Sequence, residues 1–349
     1  MNDSNTQTSG VLAAYGLAGA RVEPLGNGLI NETWLVESPA AERYVLQRVN
    51  DMFPAAVNAD IDALTRHLAA SGVQTCRLVP AQDSALCVPF DGQIWRLLTY
   101  IDGVSHDSLP TVGHARSAGA LLARFHRSVD TLTHAFATER PGIHDTSRHL
   151  EFLRETLARR ADHPEYAKIA ALGNEILGAA DSLPVLPPTP DRIVHGDPKI
   201  NNILFARDSD AALCLIDLDT ITRMPLPLEL GDAMRSWCNP ASEDDQYGEF
   251  STALFESAIG GYADVARGWI TGAESSAIVA ATHSILIELG ARFCADALNE
   301  SYFGWNPARF ASRSEHNQVR AAGQLTVARS LVAQRDRLDA AVVAAFGAR

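Results

Sequence analysis

Three polar residues in one stretch of the chain have the types and the spacing that phosphoryl transfer requires. Asn202 follows Asp197 by five residues, and Asp217 follows an apolar segment. In phosphoryl transfer from ATP, one carboxylate orients the attacking hydroxyl and accepts its proton, and Mg²⁺ is held by hard oxygen ligands. We therefore predict that Asp197 is the catalytic base, that Asn202 and Asp217 bind Mg²⁺, and that ATP is the phosphate donor.

The segments around these residues are typical of short strands separated by polar turns. Residues 203–205 and 212–216 are apolar, and a charged turn at 206–210 lies between them. The ends of such strands can bring the three polar side chains together. The alternative for Asp197 alone is a strand-to-turn corner in which the carboxylate bonds to its own backbone. That alternative does not account for the ordered set of three residues.

Composition and charge narrow the class of protein. The chain has 349 residues, of which 46% are hydrophobic and 20% charged, as in a soluble globular protein with a sizeable core. The net charge of -13 argues against a nucleic-acid partner, whereas ATP needs only a few local cations. The sequence has no run of 18 apolar residues, so we predict no membrane span. Five cysteines without a CxxC pair favour a reducing, cytoplasmic location.

Near the N-terminus, Gly26, Asn27 and Gly28 form a glycine-containing turn ahead of an alternating segment at 29–36. A hairpin of this kind can lay backbone N–H groups over phosphates, because glycine has no Cβ to keep the ligand away. These three residues are therefore candidate nucleotide ligands. An ordinary glycine hairpin is an equal alternative.

The ordered set around Asp197 resembles the catalytic pattern of protein kinases, in which the amide follows the base by five residues and the metal-binding aspartate comes later. With His195-Gly196-Asp197 in place of His-Arg-Asp, the chain resembles the superfamily of aminoglycoside phosphotransferases and choline kinases. The resemblance implies an α+β, protein-kinase-like fold of two lobes. A small antiparallel-sheet lobe at residues 1–102 would bind the nucleotide, and a larger, mostly helical lobe at 103–349 would hold the catalytic loop, the metal site and the acceptor pocket. Asp232 would brace the catalytic loop, unless it is a surface helix cap.

The same pattern suggests further nucleotide ligands. Setting residues 45–48 on the kinase motif V-A-I-K places Arg48 at the lysine that pairs with phosphates. A solvent-facing arginine is the alternative. Asp60, on the following helix, is the candidate acidic partner of Arg48. Backbone groups from Thr99 to Ile101, at the end of a buried strand, are expected to bond to adenine.

A closer resemblance, to the N-acetylhexosamine 1-kinase branch, spans about residues 20–325. Besides the catalytic motifs, it is carried by Gly26-x-Gly28-x-Ile30-Asn31-x-Thr33, residues 44–50, His144-Asp145-Thr146 with Arg148, Arg292-Phe293-x-x-Asp296, Tyr302-Phe303 and His316-Asn317-x-x-Arg320. This resemblance implies transfer to the anomeric 1-hydroxyl of N-acetylglucosamine or N-acetylgalactosamine. The residues expected to bind the sugar are His144, Asp145, Arg148, Arg292 and Tyr302. Asp145 would accept hydrogen bonds from sugar hydroxyls and the others would donate, unless Asp145 and Arg148 form a structural pair.

Two other classes of function stay open. A kinase for aminoglycosides, choline or homoserine would need a carboxylate cluster or an aromatic cage for a cationic acceptor. The dense acidic run in the helical half, Glu243-Asp244-Asp245, can equally be a solvated turn. An inactive nucleotide-binding module is disfavoured, because Asp197, Asn202 and Asp217 are all present.

Overall fold

The structure is a computed structural model that describes residues 2–26, 31–138 and 142–347. Two residues of the predicted glycine turn, Asn27 and Gly28, lie outside the described residues. The chain forms two compact units. The N-terminal unit comprises Met1–Gly103, Thr131–Glu139 and Ile216–Asp219, and the C-terminal unit comprises Val104–Asp130, Arg140–Leu215 and Thr220–Arg349.

The N-terminal unit is built on an antiparallel sheet with the strand order β1-β2-β3-β6-β4, and β5 pairs with β6. Its strands are β1 (Arg21–Pro24), β2 (Glu32–Glu37), β3 (Arg43–Val49), β4 (Leu78–Val79), β5 (Val88–Phe90) and β6 (Gln93–Thr99). Successive side chains point to opposite faces of a strand. One face therefore buries Leu46, Trp95 and Leu97 against Val11 and Leu12 of helix α1 (Asn2–Ala14). Helix α2 (Val57–Ala70) follows β3 in the same unit.

The C-terminal unit is mostly helical. Its helices are α3 (Val112–Val129), α4 (Thr146–Arg159), α5 (Tyr166–Ala180), α6 (Leu226–Trp237), α7 (Thr252–Ala266), α8 (Gly272–Ser276), α9 (Ile278–Asn299), α10 (Arg313–Ala333) and α11 (Arg335–Phe346). Two antiparallel strand pairs accompany them, β7 (Asp191–Val194) with β10 (Thr222–Pro225) and β8 (Ile203–Phe205) with β9 (Ala212–Leu215).

Helix α9 is the central core element of this unit. It is long and apolar enough to cross a membrane, but 89% of the qualifying window is buried inside the structure. The last helical segment of the chain consists of two helices, α10 and α11, that meet at Gln334. The side chain of Gln334 donates to the carbonyl of Phe250 at 2.9 Å, which anchors the junction.

These units together give the mixed α+β architecture expected from the sequence. The units do not follow the chain as two consecutive segments, because 131–139 and 216–219 group with the N-terminal unit. The functional division at residues 1–102 and 103–349 stays a prediction. The segment 216–219 carries Asp217, so this predicted metal ligand belongs to the N-terminal unit although it lies late in the chain.

Candidate active site

The catalytic loop, residues 195–202, follows strand β7 and brings Asp197 and Asn202 together. The Nδ2 of Asn202 donates to the Asp197 carbonyl at 2.9 Å and to its Oδ2 at 3.2 Å. The Nζ of Lys199 donates to the same Oδ2 at 2.6 Å. These contacts orient the Asp197 side chain, which is 24% exposed, so the carboxylate is fixed and still accessible.

The charges around Asp197 keep its carboxyl group ionised. Burial alone would raise the pKa of Asp197, but the Lys199 ammonium, with His195 and Arg235, holds that pKa below its ordinary value. A carboxylate of low pKa is a weak base, yet phosphoryl transfer depends mainly on positioning and electrostatics. The arrangement can therefore orient an alcohol and take up its proton as the oxygen attacks phosphorus.

Helix α6 braces the catalytic loop through Glu229, a residue that the sequence reasoning missed. The buried Glu229 carboxylate accepts the backbone N–H of His195 at 2.9 Å and that of Gly196 at 3.0 Å. Asp232 is buried and accepts from the Nε of Arg235 at 2.8 Å, so it is not a surface helix cap, and its predicted bracing of the loop stays a prediction. The available signal was an acidic residue in the first turn of α6.

Gly196 is required by the close approach of two backbone segments. Its φ is +83°, and a Cβ at this position would lie 2.1 Å from the carbonyl oxygen of Thr220. The hydroxyl of Thr220 donates to the carbonyl of His195 at 2.9 Å, which holds the segments together. No side chain fits here, so glycine replaces the arginine of the protein-kinase pattern.

The turn that carries Asp217 groups with the N-terminal unit. Asp217 has a φ of +63°, a left-handed conformation that is uncommon outside glycine but that aspartate adopts more readily than most residues. Two residues later, Asp219 is 3% exposed. Its carboxylate accepts hydrogen bonds from both Nη atoms of Arg96, at 2.5 and 2.7 Å. Asp217 therefore stands beside a buried ion pair that the sequence did not reveal.

Asn202 and Asp217 have the donor atoms that Mg²⁺ prefers. Because the Nδ2 of Asn202 faces Asp197, its amide oxygen is the atom that can face a cation, and Asp217 supplies a carboxylate. These two residues would hold Mg²⁺, which would supply positive charge to neutralise the phosphates of ATP. Asn202 belongs to the C-terminal unit and Asp217 to the N-terminal unit, and their sharing of one ion stays a prediction.

Arg48 lies on the opposite face of the sheet from Arg96. It forms an ion pair with Glu32, which it faces across the β2–β3 register. The adjacent Gln47 is opposite Arg96 in the register, and the Nε of Arg96 donates to the Gln47 Oε1 at 2.9 Å. Because neighbouring residues of a strand point to opposite faces, the structure does not bring Arg48 together with Asp217.

The expected pairing of Asp60 with Arg48 is wrong. The Asp60 carboxylate is buried on α2 and accepts the backbone N–H groups of Ala137 at 2.9 Å and Thr138 at 3.0 Å. The Nε2 of His134 lies 2.8 Å from it. Asp60 therefore ties α2 to residues 134–138.

The other predicted nucleotide ligands have mixed placements. The backbone N–H of Thr99 donates to the carbonyl of Arg77 at 2.9 Å, so that N–H is already used. Ile101 is half-buried just beyond β6. Gly26 has a φ of +74°, with open space where a Cβ would stand, which suits a turn. Their contact with adenine or phosphate stays a prediction.

Two of the five predicted acceptor residues, His144 and Arg292, contact Glu288 of α9, and a third, Tyr302, lies near Arg292. The Nδ1 of His144 lies 2.9 Å from Glu288 Oε1, and the Thr146 hydroxyl donates to Oε2 at 2.8 Å. A guanidinium nitrogen of Arg292 lies 3.8 Å from the same carboxylate. Arg292 in turn approaches Tyr302, with 5.9 Å between the guanidinium carbon and the ring centre. Glu288 itself was missed, because it is embedded in an apolar helix without a recognisable motif.

The charge of Glu288 controls the protonation of His144. Burial alone would lower the pKa of His144, but Glu288 and then Asp232 raise it above its ordinary value against the opposing charge of Arg292. Asp232 is bonded to Arg235, which also lowers the pKa of Asp197. The Asp232–Arg235 pair therefore lies within electrostatic reach of both His144 and the catalytic carboxylate.

Asp296 builds the loop that presents Tyr302. Its carboxylate accepts the backbone N–H groups of Ser301, Tyr302 and Phe303, each at 2.9 Å. The Nδ2 of Asn317 donates to the same carboxylate at 3.0 Å. Tyr302 is left 57% exposed, so the loop displays its ring while the backbone is fixed.

Asp145 and Arg148 stand apart from this cluster. Both are exposed, and the Asp145 carboxylate accepts the backbone N–H of Arg148 at 3.0 Å as the N-cap of α4. The predicted structural pairing of Asp145 with Arg148 is therefore a helix cap and not an ion pair between the side chains. A role of either residue in acceptor binding stays a prediction.

Comparison with known proteins identifies a family and a curated relative. The chain matches the phosphotransferase enzyme family over residues 21–266. It is 28% identical over 177 residues to homoserine kinase from Rhizobium etli (strain CIAT 652), a match that covers 50% of this chain and 51% of that protein. The chain thus aligns with about half the length of this curated relative.

Solved structures resemble nearly the whole chain. The microcompartment-associated aminopropanol kinase has a TM-score of 0.64 at 17% identity, covering 95% of this chain and 98% of its own. An aminoglycoside phosphotransferase from Alicyclobacillus acidocaldarius has a TM-score of 0.60 at 16% identity, with 95% and 96% covered. A choline/ethanolamine kinase family protein from Mesorhizobium loti has a TM-score of 0.60 at 16% identity, with 98% of each chain covered. These likenesses confirm the predicted protein-kinase-like fold, and the family match confirms the predicted superfamily. The N-acetylhexosamine branch stays a prediction.

Proposed function

We propose, since the chain belongs to the phosphotransferase enzyme family, that it transfers the γ-phosphate of ATP, with Mg²⁺, to a hydroxyl group of a small molecule. The acceptor that we propose is a sugar, specifically the anomeric 1-hydroxyl of an N-acetylhexosamine. The observation that carries the kinase proposal is the oriented, ionised and accessible carboxylate of Asp197, held by Lys199 and Asn202. A catalytically inactive module has no need of such an arrangement.

In the proposed reaction, Asp197 accepts a hydrogen bond from the acceptor hydroxyl and takes its proton as the oxygen attacks the γ-phosphorus, while the bond from that phosphorus to the bridging oxygen breaks and ADP leaves. Lys199 shares Oδ2 of the carboxylate, which keeps Asp197 ionised before the reaction. Glu229 holds the backbone N–H groups at the start of the loop, so the carboxylate keeps its direction while substrates exchange.

The electrostatics around Glu288 support a neutral acceptor over a cationic one. A cationic acceptor needs an available carboxylate or an aromatic cage. The carboxylate of Glu288 already accepts from Thr146 and lies beside His144 and Arg292. The guanidinium of Arg292 and the phenol of the exposed Tyr302 offer hydrogen-bond donors, which suits hydroxyl and amide oxygens, whereas the imidazole of His144 is buried against Glu288.

Homoserine is the second candidate acceptor. The observation that favours it is the 28% identity to homoserine kinase over half of this chain. Homoserine carries a carboxylate, with which the planar guanidinium of Arg292 could pair. Its ammonium group would need a carboxylate partner, and the charge of Glu288 is already compensated.

The deciding experiment is a screen of ATP consumption with Mg²⁺ over N-acetylglucosamine, N-acetylgalactosamine, glucose, homoserine, choline and an aminoglycoside. We expect turnover with an N-acetylhexosamine, and ³¹P NMR should identify a 1-phosphate. The Asp197→Asn variant is the matched control for contaminating kinases. Turnover with homoserine alone would leave the kinase proposal intact and overturn the sugar proposal.

The acceptor residues are tested with paired variants of Asp145. Asp145→Asn keeps the helix cap, since asparagine caps as well as aspartate, whereas Asp145→Ala removes it at a cost of about 1 kcal/mol. If the Asp145 charge binds the sugar, both variants raise KM for the sugar and leave KM for ATP unchanged. If only Asp145→Ala changes KM, the residue acts through helix α4 and does not bind the acceptor.

A further inference from the structure

The two aspartates of the turn at residues 216–219 have different environments. Asp217 is half-buried and has a left-handed backbone. Asp219 is buried with Arg96, and their side chains are 1% and 2% exposed. Although the two residues are only two positions apart and their side chains interact, Asp219 is enclosed and Asp217 is half-buried.

The hydrogen bonds to Asp219 occupy both of its oxygens. Oδ1 accepts from Nη1 of Arg96 at 2.5 Å, and Oδ2 accepts from Nη2 at 2.7 Å. Oδ2 also accepts from the Nδ2 of Asn31 at 2.8 Å. A carboxylate with three donors in a buried site is held in one orientation, and the donors surround the oxygens that a metal ion would need.

The guanidinium of Arg96 is itself fixed by the sheet. Its Nε donates to the Oε1 of Gln47 on β3 at 2.9 Å, and the Gln47 amide reaches the Thr33 hydroxyl on β2 at 3.3 Å. Three neighbouring strands therefore set the plane of the guanidinium. The side chain of Asp219 connects that plane to the turn.

This connection bears on the backbone of Asp217. A non-glycine residue in the left-handed region persists only where its surroundings over-determine the conformation. The anchored carboxylate of Asp219 fixes the chain two residues after Asp217. The two parallel N–H groups of the Arg96 guanidinium fix the direction of the Asp219 carboxylate as well as its distance. A lysine ammonium would not fix the direction.

We propose that Arg96 is a positioning residue for the metal site. Acting through Asp219, it holds the turn in the conformation that directs the Asp217 carboxylate to the Mg²⁺ of the bound nucleotide, and Asp219 serves as an anchor and not as a metal ligand. The inference rests on the proposed function only in taking a magnesium–nucleotide complex as the ligand. It does not depend on the identity of the acceptor.

The first test is Arg96→Lys, which keeps the charge and removes the fork. The affinity for a non-hydrolysable ATP analogue is measured by titration calorimetry with Mg²⁺ and again with EDTA. Partners that orient a metal ligand typically change metal affinity by about 10- to 100-fold when mutated. We expect a loss of that size with Mg²⁺ and a change within about twofold with EDTA, since the proposal concerns only the metal ligand. Equal losses under both conditions, or no loss with Mg²⁺, would overturn the proposal.

Arg192→Lys is the matched control. Arg192 makes a similar fork with the buried Glu274 in the C-terminal unit, at 2.6 and 3.1 Å. We expect this variant to lower the unfolding midpoint without changing the affinity for the magnesium–nucleotide complex. If it weakens magnesium-dependent binding as much as Arg96→Lys does, the effect is general destabilisation and the proposal fails.

Hydrogen exchange of the metal-free protein gives a second readout. If Arg96 orders the turn, the amides of residues 217–220 exchange faster in Arg96→Lys than in the parent protein. In Arg192→Lys their exchange rate equals that of the parent protein. Should Arg96→Lys fail to fold, Gln47→Leu removes the support at the Arg96 Nε, together with the contact to Thr33, and leaves the fork to Asp219. It should raise the exchange rate and weaken magnesium-dependent binding by less than Arg96→Lys. Unchanged exchange and unchanged magnesium dependence in the variant that folds would overturn the proposal. Failure to find a sugar substrate would affect neither readout.

Discussion

The catalytic loop around Asp197 and the turn around Asp217 are held in place by opposite means. In the loop, the carboxylate of Glu229 binds backbone N–H groups, so the support acts on the main chain. In the turn, the guanidinium of Arg96 binds the side chain of Asp219. The support from Glu229 does not depend on which side chains the loop carries. The support from Arg96 requires the aspartate at position 219.

The two supports also differ in their distance along the chain. Glu229 is 34 residues from His195, and both residues belong to the C-terminal unit. Arg96 is 123 residues from Asp219, and Asn31 is 188 residues from it. A motif can therefore identify a catalytic residue whose geometry is set by a distant part of the chain.

The largest effect is expected for Asp217→Ala. Loss of the carboxylate should abolish magnesium-dependent ATP binding and turnover, because the remaining protein ligand is an amide oxygen. Calorimetry with and without Mg²⁺ measures this, and circular dichroism checks that the fold is intact. Unchanged magnesium-dependent affinity with retained turnover would show that Asp217 is not a ligand.

Asp197→Asn should give the complementary result. It keeps the side-chain shape and removes the base, so kcat should fall by a factor of about 10²–10⁴. Binding of the magnesium–nucleotide complex should be unchanged. If this variant turns over at a near-normal rate, Asp197 is not the base. The loop and the turn then do not differ as the segment of the base and the segment of the metal ligand.

Glu229→Gln tests whether main-chain support is needed. The change preserves volume but removes the charge that two N–H groups face, and should lower the free energy of unfolding by about 1–3 kcal/mol. Burial alone would raise the pKa of Glu229, but His126, His195 and the Gly196 N–H hold it below its ordinary value. This stability is present above the unfolded pKa and is lost as pH falls through the folded pKa.

Urea titrations at neutral and acidic pH measure that contribution. The difference between parent and Glu229→Gln should shrink as pH falls, and kcat should decrease while magnesium-dependent nucleotide affinity stays constant. A variant that lost magnesium dependence, as expected for Arg96→Lys, would show that the two supports are not separate.

The smallest effect concerns His144 beside Glu288. Because the folded pKa of His144 is raised by Glu288 and Asp232, with Arg292 opposing, its stabilising contribution is fully present below the unfolded pKa of about 6.5. It is lost as pH rises through the folded pKa. The free energy of unfolding of the parent and of His144→Gln is measured between pH 5.5 and 9. The difference between the two proteins should shrink as pH rises and vanish at the alkaline end. If the difference in unfolding free energy did not depend on pH, protonation of His144 would not contribute to stability.

The catalytic motif, the superfamily and the α+β fold were predictable from the sequence alone. These are local properties. The spacing of Asp197 and Asn202 is fixed within one loop, and the alternation of apolar residues that builds β3 and β6 depends on neighbours two positions apart. The placement of Asp197 beside Asn202 was therefore predictable from the spacing alone.

Which charged side chains face each other depends on tertiary packing. The pleat of β3 puts Gln47, rather than Arg48, beside Arg96, and a shift of one position along a strand changes the face. Arg96, Glu229 and Glu288 belong to otherwise apolar surroundings, where sequence patterns register only burial. A buried ion must find its counter-charge wherever the fold brings one near, and here Asp219, the partner of Arg96, is 123 residues away.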